Sequence, residues 1–331
     1  MTIASQLNID PAQEVERIAE RMRSLLTGSL NRRGFIVAIS GGVDSAVSCG
    51  LAVRAVGKDR VFGLLLPERD SKSSSSNLGL EVVRKYGIAH QEVNITPALD
   101  GLGCYQWRDE AIRNTFPEYT SEWKSKLVIA GDPQSWKRYF KLVVQSPDGQ
   151  VHEAIPKAKD YLQIVAATNF KQRVRKTLEY FHADRLHYAV VGTPNRLEYD
   201  QGFFVKLGDG AADIKPIAHL YKTQVYQLAR HLELPEAICN SIPTTDTFSL
   251  PQGQDEFYYV LPYDKLDIAL CALNNGVSAA DLARELGIDL AMAEFIYRDI
   301  EDKRKATAPL HWSAIVMDKI SGPQTAPPSV N

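Results

Sequence analysis

The sequence has few cysteines. Cys49, Cys104, Cys239 and Cys271 are scattered and form no CxxC pair. That spacing argues against a zinc site and against a disulfide framework. No long apolar span occurs, so no membrane helix is expected. The stretch from Met1 to Met22 lacks the apolar core of a signal peptide, and a cytoplasmic location is expected. Neither sign of charge dominates. The 38 Lys and Arg against 40 Asp and Glu leave −2, which offers no general attraction for nucleic acid. What is present is ordinary: 44% apolar and 24% charged residues over 331 positions. This fits one large α/β domain with appendages.

The chain is organised around Phe35 to Ser48, FIVAISGGVDSAVS. Phe35–Ile39 is a short β-rich apolar run, suited to a strand buried on both faces. Ser40, Gly41 and Gly42 follow, then an apolar stretch from Ala46 that reads as a helix. Strand, glycine turn and helix make a phosphate-binding loop. Adjacent glycines let the backbone approach an anion, and free N–H groups at the helix start favour negative charge. Ser40 and Ser45 add hydroxyl donors. Asp44 beside a phosphate is repulsive unless a cation lies between them, so it predicts Mg²⁺. No GK[ST] follows the glycines, so this is not a Walker A loop.

Along the chain, Asp10-Pro11 opens a helix with Val15, Ile18, Ala19, Met22 and Leu25 at helical spacing. Val61–Pro67 reads as a second strand, Gln91–Ile95 as a third and Leu186–Val191 as a fourth. The strand–helix alternation predicts an α/β fold: a doubly wound open parallel sheet of about five strands with helices on both faces. Glu68 to Ser76 is a polar stretch after the second strand. It is placed either to meet a nucleotide, since ligands bind at the carboxyl ends of such strands, or as a solvated loop. Residues from about 101 to 160 break the rhythm. They read as an insertion containing a β-hairpin around Ser146-Pro147-Asp148-Gly149, packed on the sheet's edge or over its active face. Tyr161–Phe181 is a helix carrying Arg173 and Arg175. The glycine- and charge-rich run Gly192 to Gln224 suits a functional loop. The C-terminal part is helical, and Ser321–Asn331 reads as a disordered tail. Residues 1–320 form a single domain on this reading.

The motif SGGVDS resembles the pyrophosphate loop of the ATP pyrophosphatases, and the fold implied is adenine nucleotide alpha hydrolase-like. The scattered cysteines weigh against the sulfur-transferring relatives. Taken with GTPNRLEYDQGFFVKLGDGAADIKPIAHLYKTQVYQLA from Gly192, PTTD at 243–246, QDE at 254–256 and EDKRKA at 301–306, the chain is similar to the NAD synthetases in their short form without a glutaminase domain. The resemblance covers roughly residues 12–95 and 160–308. It implies a ligase forming a C–N bond: the carboxylate of deamido-NAD attacks ATP, giving an NAD-adenylate and pyrophosphate, and ammonia then displaces AMP. It implies that Ala38, Ile39, Ser40, Gly41, Gly42, Val43, Asp44, Ser45, Thr193, Lys222 and Thr244 contact ATP. Asp44 and Glu198 would hold Mg²⁺, and Asp44, Lys222 and Asp209 would be catalytic. Arg173, Lys206, Asp213, Asp302 and Lys303 would contact deamido-NAD, with Asp302 standing where the family usually has His. A homodimer is implied, using free ammonia or ammonia from a separate subunit. A related ligase amidating another carboxylate is the alternative that Asp302 and the insertion raise. A non-catalytic nucleotide-binding protein is a third, against which stand Asp44, Glu198 and Lys222.

Overall fold

A computed structural model describes residues 2–131, 138–241, 247–253, 258–259 and 261–318. The expected ATP contact Thr244, the PTTD and QDE motifs and the 321–331 tail lie outside the described residues. Asp10 caps helix α1 (Pro11–Thr27) as its sequence implies, accepting from the Ala12 and Gln13 N–H groups at 3.0 and 3.1 Å. Strands β1 (Phe35–Ala38), β2 (Val61–Leu65) and β3 (Ala89–Glu92) alternate with α2 (Val43–Val56) and α3 (Ser73–Tyr86). The third strand lies two to three residues earlier than the apolar residues Val93 and Ile95 suggest. It is a polar edge strand, exposed throughout, so burial gives it no signature. The serine run Ser73–Ser76 is not a loop but the first turn of α3.

Helices α4 (Thr96–Gly101) and α5 (Cys104–Arg113) open the inserted region. Strands β4 (Lys124–Gly131), β5 (Arg138–Gln145) and β6 (Val151–Ala154) follow as an antiparallel sheet. The expected hairpin is its second half, with Gln145 paired to Val151. Its core residues Phe116, Leu127, Leu142 and Val144 share a cluster with Ile164 and Phe248. The insertion is therefore joined to the main body by apolar packing, not by its ends alone. Helix α6 (Ala158–Leu186) then leads to β7 (Ala189–Val191).

The parallel sheet has the order β3-β2-β1-β7, with Phe35 in register with both Val61 and Ala189. Among the described residues the sheet has four strands, and a single parallel bridge from Val191 to Ile214 marks where a fifth would run. Side chains alternate across it as strand geometry requires. Phe35, Val37, Ala189 and Val191 face one cluster with α1, α2 and α8 (Lys222–His231), while Ile36 and Val190 face another with α6. Both faces are thus covered, the expected doubly wound arrangement. Helices Tyr263–Asn274, Ala279–Leu286 and Leu290–His311 form a separate apolar cluster that also takes in Ile3, Leu7 and Leu197. Among the described residues no helix is long and apolar enough to cross a membrane.

Candidate active site

The chain runs outward from β1 through β2 to β3 and then returns to place β7 on the other side of β1. The crevice between β1 and β7 is the topological switch point, where open α/β sheets bind ligands. The two loops leaving these strands carry the motifs singled out in the sequence. After β1, the Ser45 hydroxyl donates to the Gly42 carbonyl at 2.9 Å and accepts from the Ser40 N–H at 3.2 Å. The Ser40 hydroxyl accepts from the Gly42 N–H at 3.3 Å. These bonds fold the loop into a tight turn at the start of α2, which no side chain caps. Its first N–H groups remain open to an anion.

After β7, Asn195 caps α7 (Arg196–Gln201) in a reciprocal box with Glu198: the Asn195 side chain accepts from the Leu197 and Glu198 N–H groups, and Glu198 accepts from the Asn195 N–H. The same Asn195 amide donates to Asp44 Oδ1 at 3.1 Å. The second oxygen of Asp44 takes the Lys222 ammonium in a short ion pair. Lys222 is only 2% exposed. Burial works against its charge, but Asp44 and Glu198 outweigh it and raise it above the ordinary lysine value. The Glu198 carboxyl is pushed up to about 8, first by burial and then by Asp44. Near neutral pH Glu198 is therefore largely protonated, and a cation beside it and Asp44 would displace that proton and offset both carboxylates. Among the described residues no three His, Cys, Asp or Glu side chains gather as a metal cage. Two hard carboxylates beside a phosphate loop suit Mg²⁺, which takes one or two carboxylates and completes its shell with phosphates and water.

Lys222 is held from behind. Asp267, wholly buried on helix Tyr263–Asn274, accepts from the Thr223 N–H at 2.7 Å and so satisfies an open N–H at the start of α8. Burial pushes the Asp267 carboxyl up to about 7. The protonated form is therefore favoured by folding. The contribution of Asp267 to stability is full below the ordinary carboxylate range and is lost as pH rises toward about 7. In Asp267→Asn the melting temperature should accordingly fall less than in the wild type between about pH 5 and about pH 8. Parallel melting curves in the two proteins would refute this.

The phosphate loop, Glu198 and Lys222 line a cavity of about 600 Å³. Ala38 to Ser45, Thr193, Glu198, Asp209 and Lys222 all border it, as do Ser74, Ser75 and Ser76 from the first turn of α3. The serine run thus meets the cavity, but from a helix start. Across the cavity the insertion supplies Phe140, whose ring stacks on Tyr161 at 4.6 Å, and Phe248 lies beside them. The insertion therefore lies over the active face. Lys176 and Glu179 form a buried ion pair at 2.6 Å in the wall, and burial raises the carboxyls of Glu179 and Asp209.

The residues expected at deamido-NAD are not brought together in this cavity. Arg173 is exposed; its Nε donates to the Lys206 carbonyl at 3.3 Å, and it borders a separate hollow with Trp107 and Phe170. Lys206 donates to the Pro309 carbonyl at 2.8 Å. Asp213 accepts from the Val190 N–H at 2.7 Å, so it serves the free side of β7. Lys303 reaches the Tyr258 carbonyl at 2.7 Å, and Tyr258 borders the cavity. Asp302 is exposed on the same helix. Asn195, Asp267 and the Lys176–Glu179 pair were absent from the sequence-based set. Asn195 had a signal, an N-x-x-E spacing at a helix start; the others carry none.

A family model described as NAD synthase matches residues 14–115 and 137–307. The NH(3)-dependent NAD(+) synthetase of Rhizobium meliloti (strain 1021) is 53% identical over 312 residues, covering 93% of this chain and 92% of that protein. That of Thermotoga maritima is 38% identical over 257 residues, covering 76% and 84%. In fold the chain is similar to the NH3-dependent NAD synthetase from Campylobacter jejuni, with a TM-score of 0.61 at 21% identity, covering 94% of this chain and all of that one. The NMN synthetase from Francisella tularensis gives a TM-score of 0.63 at 20% identity, with the same coverage. The chain belongs to the NAD synthase family.

Proposed function

We propose that the protein makes NAD from deamido-NAD, ATP and ammonia, and that the cavity at the β1/β7 switch point is where ATP is cleaved. The observation that carries this is the convergence of Asp44, Lys222 and Glu198 on one open helix start. The amidation itself is supported by relatives named NH(3)-dependent NAD(+) synthetase over nearly their whole length.

In this reading the nicotinate carboxylate forms a bond to the α-phosphorus while the bond to pyrophosphate breaks. Ammonia then adds to the carbonyl carbon and AMP leaves with the electron pair. A carboxylate is a poor electrophile, so transfer to AMP supplies the leaving group. The work of the protein is positioning and charge stabilisation. The open N–H groups of the loop and the Ser40 and Ser45 hydroxyls cradle phosphate oxygens. Lys222 offsets charge building on the leaving pyrophosphate, and Asn195 orients Asp44. Asp44 and Glu198 would hold Mg²⁺, which when bound neutralises the phosphates. Arg173, Lys206 and Lys303 lie toward the outer face and the C-terminal helix. The placement of Arg173 and Lys206 outside the cavity, with Leu162 and Phe181 exposed on α6, supports a homodimer whose partner completes the dinucleotide site. Free ammonia or a separate supplying subunit, and a cytoplasmic setting, complete the reading.

The test is product analysis with ATP, Mg²⁺, deamido-NAD and ammonium. NAD, AMP and pyrophosphate should appear in equal amounts. Intact ATP, or AMP without NAD, would overturn the proposal.

A further inference from the structure

A second set of buried charges lies beside the cavity and takes no part in the mechanism above. Lys171, on α6, is 1% exposed. Its ammonium donates to Glu68 Oε1 at 2.9 Å, Asp70 Oδ2 at 2.6 Å and the Thr247 carbonyl at 3.1 Å. All three ammonium donors are thus used. The two carboxylates belong to the loop that leaves β2 and enters α3. Pro67, Ser71 and Lys72 of that loop border the cavity, and so do Thr247 and Phe248. One ammonium therefore ties two walls of the cavity together. The first wall reaches the phosphate loop directly, because the Ser75 carbonyl in the first turn of α3 packs against Gly41.

The carboxylates do not depend on Lys171 alone. Arg108 Nη1 donates to Asp70 Oδ2 at 2.5 Å, and the Tyr105 hydroxyl donates to Glu68 Oε2 at 2.5 Å. Burial opposes ionisation of Asp70, but Lys171 and then Arg108 hold its carboxyl below the ordinary range. A buried ion pair adds little net stability over a well-packed apolar replacement, whereas it fixes geometry sharply. What Lys171 supplies that Arg108 and Tyr105 do not is the bond to the Thr247 carbonyl.

We infer that Lys171 is a positioning residue for nucleotide binding, its ammonium fixing the Thr247–Phe248 wall against the loop that leaves β2. This rests on the reading of the cavity as the ATP site. It acts through the wall and touches no reacting atom.

The experiment compares the full-length wild type with Lys171→Met and Tyr105→Phe. Lys171→Met should raise KM for ATP about tenfold while kcat stays within about threefold, the pattern of lost ground-state binding. Tyr105→Phe keeps the Thr247 bond and should leave KM for ATP near that of the wild type. Hydrogen exchange should quicken in the segment 247–253 of Lys171→Met and stay unchanged in β1. If the methionine variant does not fold, Lys171→Met is combined with Glu68→Gln, which removes a buried charge left without its partner, and is measured against the same expectations. A lowered melting temperature with wild-type KM for ATP would overturn the inference, leaving Lys171 a structural residue only. If the wild type leaves ATP intact, the functional reading falls. The exchange comparison then decides alone whether Lys171 anchors the wall.

Discussion

Asp44→Asn is expected to lower AMP formation from ATP by about 10²–10³-fold, the usual effect of removing one preorganised charge-stabilising group. The fold should remain. Asparagine has nearly the same shape, and its side-chain oxygen can still accept from the Asn195 amide that now bonds Asp44 Oδ1. Glu198 remains as an anionic influence on Lys222, and its carboxyl, no longer facing Asp44 but still buried, moves only part of the way back toward its ordinary value. What is lost is half of the pair of carboxylates available to a cation at the phosphate loop. The measurement is AMP release across a magnesium titration, alongside a melting curve. Activity should stay low even at saturating Mg²⁺, while a melting transition that is still cooperative, at a lower temperature because buried Lys222 has lost its partner, shows that the fold remains. Turnover unchanged from the wild type would refute the metal assignment.

Gly41→Ala should be nearly as damaging, for a reason of shape. Gly41 has φ of +85°, where a side chain costs roughly 1–2 kcal/mol by itself. A Cβ there would also lie 2.3 Å from the Ser75 carbonyl oxygen and 3.1 Å from the Leu78 Cβ. The oxygen is main chain in the first turn of α3 and cannot rotate away. Either α3 or the phosphate loop must shift. A displacement of about 1 Å in a positioning element can cost about 10²-fold in rate. The expected result is a fall of that size in kcat/KM for ATP. Gly57→Ala separates the two causes. Gly57 also has positive φ, +81°, but no atom lies within 4 Å of its added Cβ. It should lose stability and keep wild-type kinetics for ATP. Equal kinetic losses in both variants would show that the contact with Ser75 is irrelevant.

The sequence made some of this legible and hid the rest for physical reasons. The run Phe35–Ile39 announces itself because a strand buried on both faces must be apolar throughout, and the glycines after it have few other uses. Asp10 before Pro11 marks a helix start by local chemistry alone. By contrast β3 is a polar edge strand, and the apolar Val93 and Ile95 just beyond it drew the expected strand too far along. The serines 73–76 are weak helix formers, so the first turn of α3 read as a loop. In the site, Asp44 was visible beside the glycines of its loop, and Glu198 and Lys222 through the resemblance to the NAD synthetases. Lys171 was not, because its meaning arises only when segments near residues 68, 108 and 247 converge on it.

The position of β1 has a consequence for the order in which the molecule is made. Phe35 pairs with Val61 on one side and with Ala189 on the other. A growing chain can dock β2 early, yet the opposite neighbour of β1 is synthesised much later, and Lys222 later still. Until then the phosphate loop stands at a sheet edge without the ammonium that balances Asp44. Such long-range pairing is slow, because loop closure must precede the contacts that reward it. ATP can therefore recognise only a chain whose sheet has already closed on both sides of β1. By mass action the nucleotide then favours the finished fold over every partial one. A nascent chain stalled before residue 189 should accordingly gain no protease resistance from ATP, whereas the released protein should.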